Sequence, residues 1–242
     1  MTDELAIRLD DVWVEYQLRH AHHYNLKRAA SNLISRRHDE AEIISALRGI
    51  TLSVPRGARI GLTGPNGSGK STLLAVMAGV LGPTQGSCEI HGRVLALLGG
   101  PNEGLDPEQT GRENAVMLGV RLGESIADMR DRCDEIQEFS GLGRRFEHPV
   151  YTYSSGMQMR LRFTTVTSLR ADVLLVDEGI GMADAEFNMR AGQRLLDFYG
   201  TAGTLILASH DQAITAEHCQ QTLRFAQGTL LEWSQSGEGV KG

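Results

Sequence analysis

A glycine-rich loop between an apolar stretch and a helix-forming stretch constrains this chain more than any other feature. The apolar stretch is residues 60–63, and the helix-forming stretch begins at Ser71. The loop and the first helical residues are Gly64, Pro65, Asn66, Gly67, Ser68, Gly69, Lys70, Ser71 and Thr72. They match the pattern G-x-x-x-x-G-K-[ST], which in a strand–loop–helix context binds phosphate. The pattern therefore predicts an α/β fold of the P-loop type with a nucleotide at the end of this strand.

Each part of this loop has a chemical reason. Glycines let the backbone curl so that successive N–H groups point at a phosphate, and the following helix aims its positive N-terminal end at the same place. Lys70 is expected to neutralise charge on the β- and γ-phosphates, and the Ser71 hydroxyl to bind Mg²⁺. The simpler alternative is a glycine turn without a ligand, which the strand before it and the helix after it disfavour.

Composition excludes several other classes of protein. The 242 residues are 41% apolar, enough for a core, and their net charge of −6 gives no overall basic field for nucleic acid. Three widely spaced cysteines form neither a disulfide framework nor a metal cluster, which is typical of a reducing compartment. The acidic start has no apolar signal sequence, and no run approaches the roughly 18 apolar residues of a membrane span. A partner is therefore expected to supply any membrane part.

The order of elements predicts a core that is interrupted by helices. Strands are predicted near residues 5–9, 12–16, 50–54, 58–62, 86–98, 173–176, 204–208, 223 and 230. Helices are predicted at residues 70–78, over most of 112–169, and at 186–199. The prediction is a mixed-sheet core of about residues 1–98 and 170–242, with a helical subdomain of about residues 99–169 inserted in it.

A basic segment, residues 19–37, separates the first predicted strands. Leu26, Ala30, Leu33 and Ile34 recur in it at helical spacing and predict a short amphipathic helix. Two roles stay open for this segment. It lies near a membrane and contacts anionic headgroups, or it is an ordinary solvated helix.

Two adjacent carboxylates follow the apolar run of residues 173–176. Asp177 is expected to support Mg²⁺, and Glu178 is expected to be the catalytic group that orients or polarises the attacking water. Taken alone, an apolar strand that ends in Asp-Glu is more often a solvated strand end. Combined with the loop at Lys70, the pair predicts ATP hydrolysis.

A third motif, Y-S-S-G-M at residues 153–157, precedes these carboxylates. Here the chain resembles the ABC ATPases, whose signature reads L-S-G-G-Q in this place. Ser154 and Gly156 match that signature, whereas Tyr153, Ser155 and Met157 depart from it. The order of phosphate loop, signature, Asp-Glu and then His210 is that of the whole family, and the resemblance covers nearly the full chain.

The resemblance implies a site that two copies of the chain share. Ser154, Ser155, Gly156 and Met157 would act on ATP held by the other subunit of a head-to-tail homodimer that sandwiches two ATP molecules. His210 would be the switch histidine that contacts the γ-phosphate; taken alone, it is a polar residue at a strand end. The residues themselves leave two alternatives open at the signature: a second anion site at a helix N-terminus, or a helix cap by Ser154 or Ser155.

The signature variant is similar to that of ATPases that power exporters of lipid-linked polysaccharide, such as O-antigen, capsule or wall teichoic acid. Residues 107–114, residues 181–187 and the basic segment resemble the same group. This resemblance implies ATP and Mg²⁺ as cofactors, and permease subunits and a lipid-linked glycan as partners, without nucleic acid. It also implies a location at the cytoplasmic side of the inner membrane. The alternatives are the ATPase of a drug exporter or importer, and a soluble ABC ATPase acting on ribosomes or DNA.

Two family positions stay open on sequence. The glutamine expected after the strand near residue 98 is absent; residues 99–103 read G-G-P-N-E, which leaves Glu103 as a candidate Mg²⁺ ligand. Tyr16 fits the position of the aromatic side chain that stacks on adenine. Tyr24 is an alternative for that role, and Tyr16 is otherwise a core tyrosine.

Overall fold

The computed structural model describes residues 5–18, 42–99, 103–177, 184–200, 203–209 and 212–235. The strands are β1 (Leu5–Leu18), β2 (Glu42–Pro55), β3 (Arg59–Thr63), β4 (Gln85–Ile90), β5 (Val94–Leu97), β6 (Val173–Asp177), β7 (Thr204–Ala208), β8 (Gln221–Ala226) and β9 (Thr229–Gln235). The helices are α1 (Lys70–Met77), α2 (Gly111–Arg121), α3 (Ile126–Ser140), α4 (Ser155–Thr167), α5 (Ala185–Gly200) and α6 (Gln212–His218). Two short 3-10 helices span Gly143–Glu147 and Val150–Thr152.

The strands form two sheets. The smaller is antiparallel with the order β2-β1-β4, and the larger has the order β5-β6-β7-β3-β8-β9. In the larger sheet, neighbours from β5 to β8 run parallel, and β9 is antiparallel to β8. Parallel strands covered on both faces are continuous apolar runs, and β7 is accordingly buried along its whole length. This mixed sheet with helices confirms the predicted α/β class.

The first two strands extend further than the sequence pattern predicts. β1 is one strand where two were predicted, because Asp11, with φ 46°, interrupts the register of the pairing without ending it. β2 begins at Glu42 rather than near residue 50, and Gly49, with φ 63°, lies at a second register shift. Such bulges break the alternation of inward and outward side chains, so the predicted bounds are too short.

Helix α1 packs between the two sheets and fixes the loop that precedes it. Leu73, Leu74 and Met77 of this helix are fully buried. They belong to one apolar cluster with Leu62 of β3 and Leu9 of β1. Because both ends of the strand–loop–helix unit are held by the core, the loop between them has a fixed position.

Between β5 and β6 the described residues form α2, α3, α4 and the two 3-10 helices, as predicted for most of residues 112–169. Thr110 begins α2 in a capping box with Glu113. Ser125 caps α3, and Gly141 ends α3 with φ 64°. The division of the chain into a core and an inserted helical subdomain stays a prediction.

Within the described ranges, no helix is long and apolar enough to cross a membrane. The basic segment and Tyr24 lie outside those ranges. The amphipathic helix expected there therefore stays a prediction.

Candidate nucleotide-binding site

The loop that follows β3 is enclosed so closely that side chains are excluded at two of its positions. A Cβ atom on Gly64, which has φ 143°, would overlap the carbonyl oxygen of Phe225 on β8. A Cβ atom on Gly69, which has φ 108°, would lie 2.7 Å from the carbonyl oxygen of Ala46 on β2. Positive φ values of this kind favour glycine. The loop is therefore held in its curled form between β8 and β2.

Lys70 lies inside this loop and is only 6% exposed. Its Nζ donates hydrogen bonds to the carbonyl oxygens of Gly64, at 2.8 Å, and Pro65, at 3.1 Å. A lysine ammonium has three donors, so one remains for a phosphate oxygen. The two loop carbonyls thus orient the cation toward the place where the sequence predicts phosphate.

The N-terminus of α1 fits an anion as well. Its N-cap is Gly69, and the described residues provide no side-chain cap. The hydroxyl of Ser68 is buried without a hydrogen-bond partner in the described part of the chain. Buried polar atoms are almost always bonded in native proteins, so this hydroxyl and the uncapped helix end together suit a bound phosphate. Ser71, in the first turn of α1, is exposed.

The turn between β8 and β9 holds the phosphate loop from outside. The N–H of Gly228 donates to the carbonyl oxygen of Ser68 at 2.9 Å, and the carbonyl oxygen of Gly228 accepts from the N–H of Arg48 at 2.8 Å. Gly228 has φ 79°, and a Cβ atom there would lie 2.7 Å from the carbonyl oxygen of Ala46. Backbone contacts therefore join the loop, β2 and the last hairpin.

Asp177 ends β6 at the edge of the sheet where the loop begins. The register pairs both Asp177 of β6 and Leu62 of β3 with Ala208 of β7. Since neighbouring strands are about 4.8 Å apart, the backbone of Asp177 lies about 10 Å from Leu62. In the described part of the chain no cluster of three or more His, Cys, Asp or Glu residues could hold a metal. The Mg²⁺ roles of Ser71 and Asp177 stay predictions.

Glu178 and His210 lie outside the described residues, and their catalytic roles stay predictions. The position of each chain neighbour is nevertheless defined. Asp177 directly precedes Glu178, and Ser209, which directly precedes His210, is buried and donates its N–H to the carbonyl oxygen of Leu62 at 3.3 Å. Asp177 and Ser209 therefore both lie at the edge of the sheet where the phosphate loop begins.

Ser154 is the N-cap of α4. Its Oγ accepts a hydrogen bond from the N–H of Met157 at 3.3 Å. Ser155 and Gly156 form the first turn of the helix, and the side chains of Ser154 and Ser155 are exposed. The capping alternative is thus confirmed for Ser154. Its action on a nucleotide of a second subunit stays a prediction.

Tyr16 is a surface side chain rather than a core tyrosine. It is 43% exposed, and it pairs with Ile44 across β1 and β2. Ile44 lies two residues before Ala46, whose carbonyl oxygen faces Gly69 of the loop. The exposure and the nearby loop agree with the predicted adenine contact, which stays a prediction.

Comparison with known proteins identifies the family. The family model described as ABC transporter matches residues 47–181, from β2 through Asp177. The O-antigen export system ATP-binding protein RfbE of Yersinia enterocolitica is 36% identical over 231 residues, which cover 93% of this chain and 95% of that protein. This chain belongs to the ABC transporter family.

Other members of the ABC family extend well beyond the matched region. The O-antigen export system ATP-binding protein RfbB of Myxococcus xanthus is 42% identical over 74% of this chain, but the match spans only 41% of that protein. Among solved structures, an ATP-binding cassette dimer in a post-hydrolysis state, bound to ADP and Pi, has a TM-score of 0.78. It is 19% identical, and the match covers 96% of this chain and 100% of that chain. This likeness confirms the predicted ABC-type fold.

Tyr153 replaces the leucine of the ABC signature and makes a bond that leucine cannot make. It is 7% exposed, and its hydroxyl donates to the carbonyl oxygen of Arg145 at 2.6 Å. Burial raises the pKa of Tyr153 to about 12, so the hydroxyl stays a neutral donor. The same hydroxyl lies against Gly111 at the start of α2. This departure therefore ties the start of α4 to the neighbouring helices.

Near the position of the missing family glutamine, the carboxylate of Glu103 lies against Gly99. Gly99 has φ 77°, and a Cβ atom there would overlap that carboxylate. Glu103 itself is exposed. Its candidate role as a Mg²⁺ ligand stays a prediction.

Sequence reasoning missed the structural roles of two buried polar residues between β5 and β6. Asn114 is 2% exposed, and its Nδ2 donates to three carbonyl oxygens of the preceding loop, those of Asp106, Gln109 and Thr110. Arg162, on α4, is 6% exposed. The sequence signal for Asn114 was the run at residues 107–114, and the signal for Arg162 was the run R-L-R-F at residues 160–163 after the signature. Neither run showed that these side chains are buried.

Proposed function

We propose that this chain is the ATP-binding and ATP-hydrolysing subunit of a membrane exporter of lipid-linked polysaccharide such as O-antigen. The similarity to the Yersinia enterocolitica O-antigen export protein, over nearly the full length of both chains, carries the proposal. A teichoic acids export ATP-binding protein, TagH of Enterococcus faecalis, is 33% identical over 100% of this chain and 53% of that protein. Two relatives whose names state glycan export thus agree with the signature variant.

Binding is proposed to begin at the phosphate loop. The Nζ of Lys70, the Ser68 hydroxyl and the N–H groups at the start of α1 receive the phosphates, while Tyr16 stacks on the adenine. Ser71 and Asp177 hold Mg²⁺, which when bound neutralises charge on the phosphate oxygens. The burial of Lys70 strengthens its attraction for phosphate, because charges interact more strongly away from water.

Hydrolysis is proposed to need residues that follow the sheet and residues of a second copy. Glu178, next to Asp177, orients or polarises the attacking water, and His210 contacts the γ-phosphate. Ser154 and the first turn of α4 from the other subunit close the site. The exposed position of Ser154 supports this role, since it leaves the helix end accessible to a partner.

The chain is proposed to act through integral-membrane permease subunits at the cytoplasmic side of the inner membrane. Residues 99–169 are the proposed contact surface for the permease. Energy from ATP hydrolysis in the homodimer would then reach the glycan through that contact. ATPases of drug exporters or importers would share the nucleotide site, so a decisive experiment must follow the exported molecule.

Replacing the chromosomal copy by Glu178→Gln tests the proposal in cells. General-base residues contribute roughly 100- to 10,000-fold to rates, so we expect hydrolysis to fall about 1,000-fold while ATP binding persists. Lipid-linked glycan should then accumulate inside the cell and disappear from its surface. Glu89→Gln, at an exposed position of β4 outside the proposed permease surface, is the matched control and should export normally.

Two results would contradict different parts of the proposal. Hydrolysis by Glu178→Gln near the wild-type rate would show that Glu178 is not the catalytic carboxylate. Normal surface glycan in an inactive variant, together with lost drug or nutrient transport, would refute polysaccharide export and retain the ATPase. Identification of the permease that copurifies from membranes would distinguish these exporters directly.

A further inference from the structure

The end of β5 lies directly beside the carboxylate edge of the site. β5 and β6 are parallel, and Leu97 pairs with Val176. The next residues along the two strands are Leu98 and Asp177, which are therefore neighbours across one strand spacing, about 4.8 Å. A side chain that fixes the backbone of Leu98 therefore also fixes the strand end next to Asp177.

Arg162 of α4 makes such a contact. Its Nη2 donates a hydrogen bond to the carbonyl oxygen of Leu98 at 2.8 Å. The side chain is 6% exposed, so the bond lies in a region where hydrogen bonds are stronger than in water. Burial lowers the pKa of Arg162, and the carboxylate of Glu103 opposes that shift. Arginine keeps its charge under such burial because its ordinary pKa is so high.

Helix α4 connects this contact to the signature. Ser154 caps the helix, and Arg162 lies eight positions later in the sequence, about 12 Å along the axis at 1.5 Å per residue. Phe163, the residue after Arg162, packs edge-on against Phe187 of α5 with ring centroids 5.8 Å apart. The part of α4 that carries Arg162 is thus also packed against α5.

We propose that Arg162 is a positioning residue that couples the first turn of α4 to the edge of the sheet at Asp177. The inference rests on the proposed function, in which Asp177 serves the nucleotide of its own chain and Ser154 serves the nucleotide of the second copy. Arg162 then makes the two composite sites of the homodimer depend on each other. Its hydrogen bond reaches a backbone carbonyl, so the coupling does not depend on the side chain at position 98.

Steady-state hydrolysis by the full-length chain tests this role. We expect Arg162→Met to lower kcat about tenfold and to bring the Hill coefficient for ATP toward one, a coupling of ordinary size. The affinity of the separated monomer for ATP should stay within about twofold, because the phosphate loop is not touched. Arg162→Lys, which keeps the cation but not the planar donor fork, should recover part of kcat.

Arg132→Met is the matched control. Arg132 of α3 donates an equivalent bond, Nη1 to the carbonyl oxygen of Ser168 at 2.8 Å, at the opposite end of α4. Its loss should lower thermal stability and leave kcat and the Hill coefficient unchanged. A purely structural role for Arg162 predicts instead that both methionine variants behave alike, and that result would overturn the proposal.

Other outcomes also decide the question. Wild-type kcat and cooperativity in Arg162→Met would overturn the inference alone, whereas an inactive wild-type chain would overturn the proposed function with it. If Arg162→Met does not fold, Arg162→Lys carries the test. For Arg162→Lys, a kcat below that of the wild-type chain at unchanged ATP affinity would support the coupling. A wild-type kcat in this variant would refute it.

Discussion

Two helix N-termini in this molecule are built in opposite ways. The N-terminus of α1 begins at Gly69, which offers no side-chain cap, and the neighbouring Ser68 hydroxyl has no partner in the described part of the chain. The N-terminus of α4 begins at Ser154, whose hydroxyl accepts from the N–H of Met157. The first is enclosed and contains a buried lysine, while the second is capped and faces outward.

In the proposed homodimer, this difference assigns the two helix ends to different steps. The α1 terminus has its cation, its glycines and its unsatisfied donor within one chain, so it is complete for phosphate in the monomer. The α4 terminus satisfies its own cap in the monomer and has no cation of comparable burial in its first turn. We therefore expect it to act only when a second copy presents a nucleotide to it.

Lys70→Ala has the largest expected effect on this comparison. Loss of charge-assisted hydrogen bonds of about 3 kcal/mol should weaken ATP binding by the monomer about 100-fold. Ser154→Ala should leave the same affinity within about twofold, since the monomer does not use that terminus. Calorimetric titration of each variant with ATP measures both affinities. An equal loss of ATP affinity in the two variants would contradict the proposed difference between the N-termini of α1 and α4.

Mixing the two inactive variants tests the division in the dimer. In a heterodimer of Lys70→Ala with Ser154→Ala, both defects fall in one composite site and leave the other intact. Equal mixing makes about half of the dimers mixed, each with one intact site. At most about a quarter of wild-type ATPase activity should therefore return, and less to the extent that Arg162 couples the two sites. Failure to recover activity, with heterodimers demonstrated by native mass spectrometry, would count against shared sites.

The smallest expected effects are changes in the free energy of unfolding, and they have opposite signs at the two helix N-termini. Ser154→Ala removes a helix cap and should lower the free energy of unfolding by about 1 kcal/mol. Ser68→Ala removes a buried hydroxyl without a partner and should raise it by up to about 1 kcal/mol. Urea denaturation without nucleotide measures both changes. A loss of similar size in both variants would mean that the Ser68 hydroxyl is satisfied in solution.

Local motifs account for the part of the site that could be predicted from sequence. The loop at residues 64–72 contains both its turn residues and its chemistry in one short stretch, and Asp177 follows an apolar strand directly. Their positions at one sheet edge follow from parallel pairing, which strand–helix alternation predicts. Glu178 was predicted from the same carboxylate pair, whereas the role of His210 was predicted only from the resemblance to the ABC ATPases; both residues lie outside the described ranges.

Contacts between distant parts of the chain account for what could not be predicted. The bulges at Asp11 and Gly49 depend on how β1 pairs with β2, and no local pattern marks them. The partner of Arg162 lies 64 residues earlier in the chain. Tyr153 was recognised as a departure from the signature, but its bond to Arg145 requires the folded arrangement of the helices.

The backbone bond between Gly228 and Ser68 has a consequence for synthesis on the ribosome. The phosphate loop is translated early, but the hairpin turn that closes over it comes near the end of the described chain. A nascent chain therefore lacks that support until its last strands have left the exit tunnel. We therefore expect nucleotide capture to come late in synthesis, after β8 and β9 have been made.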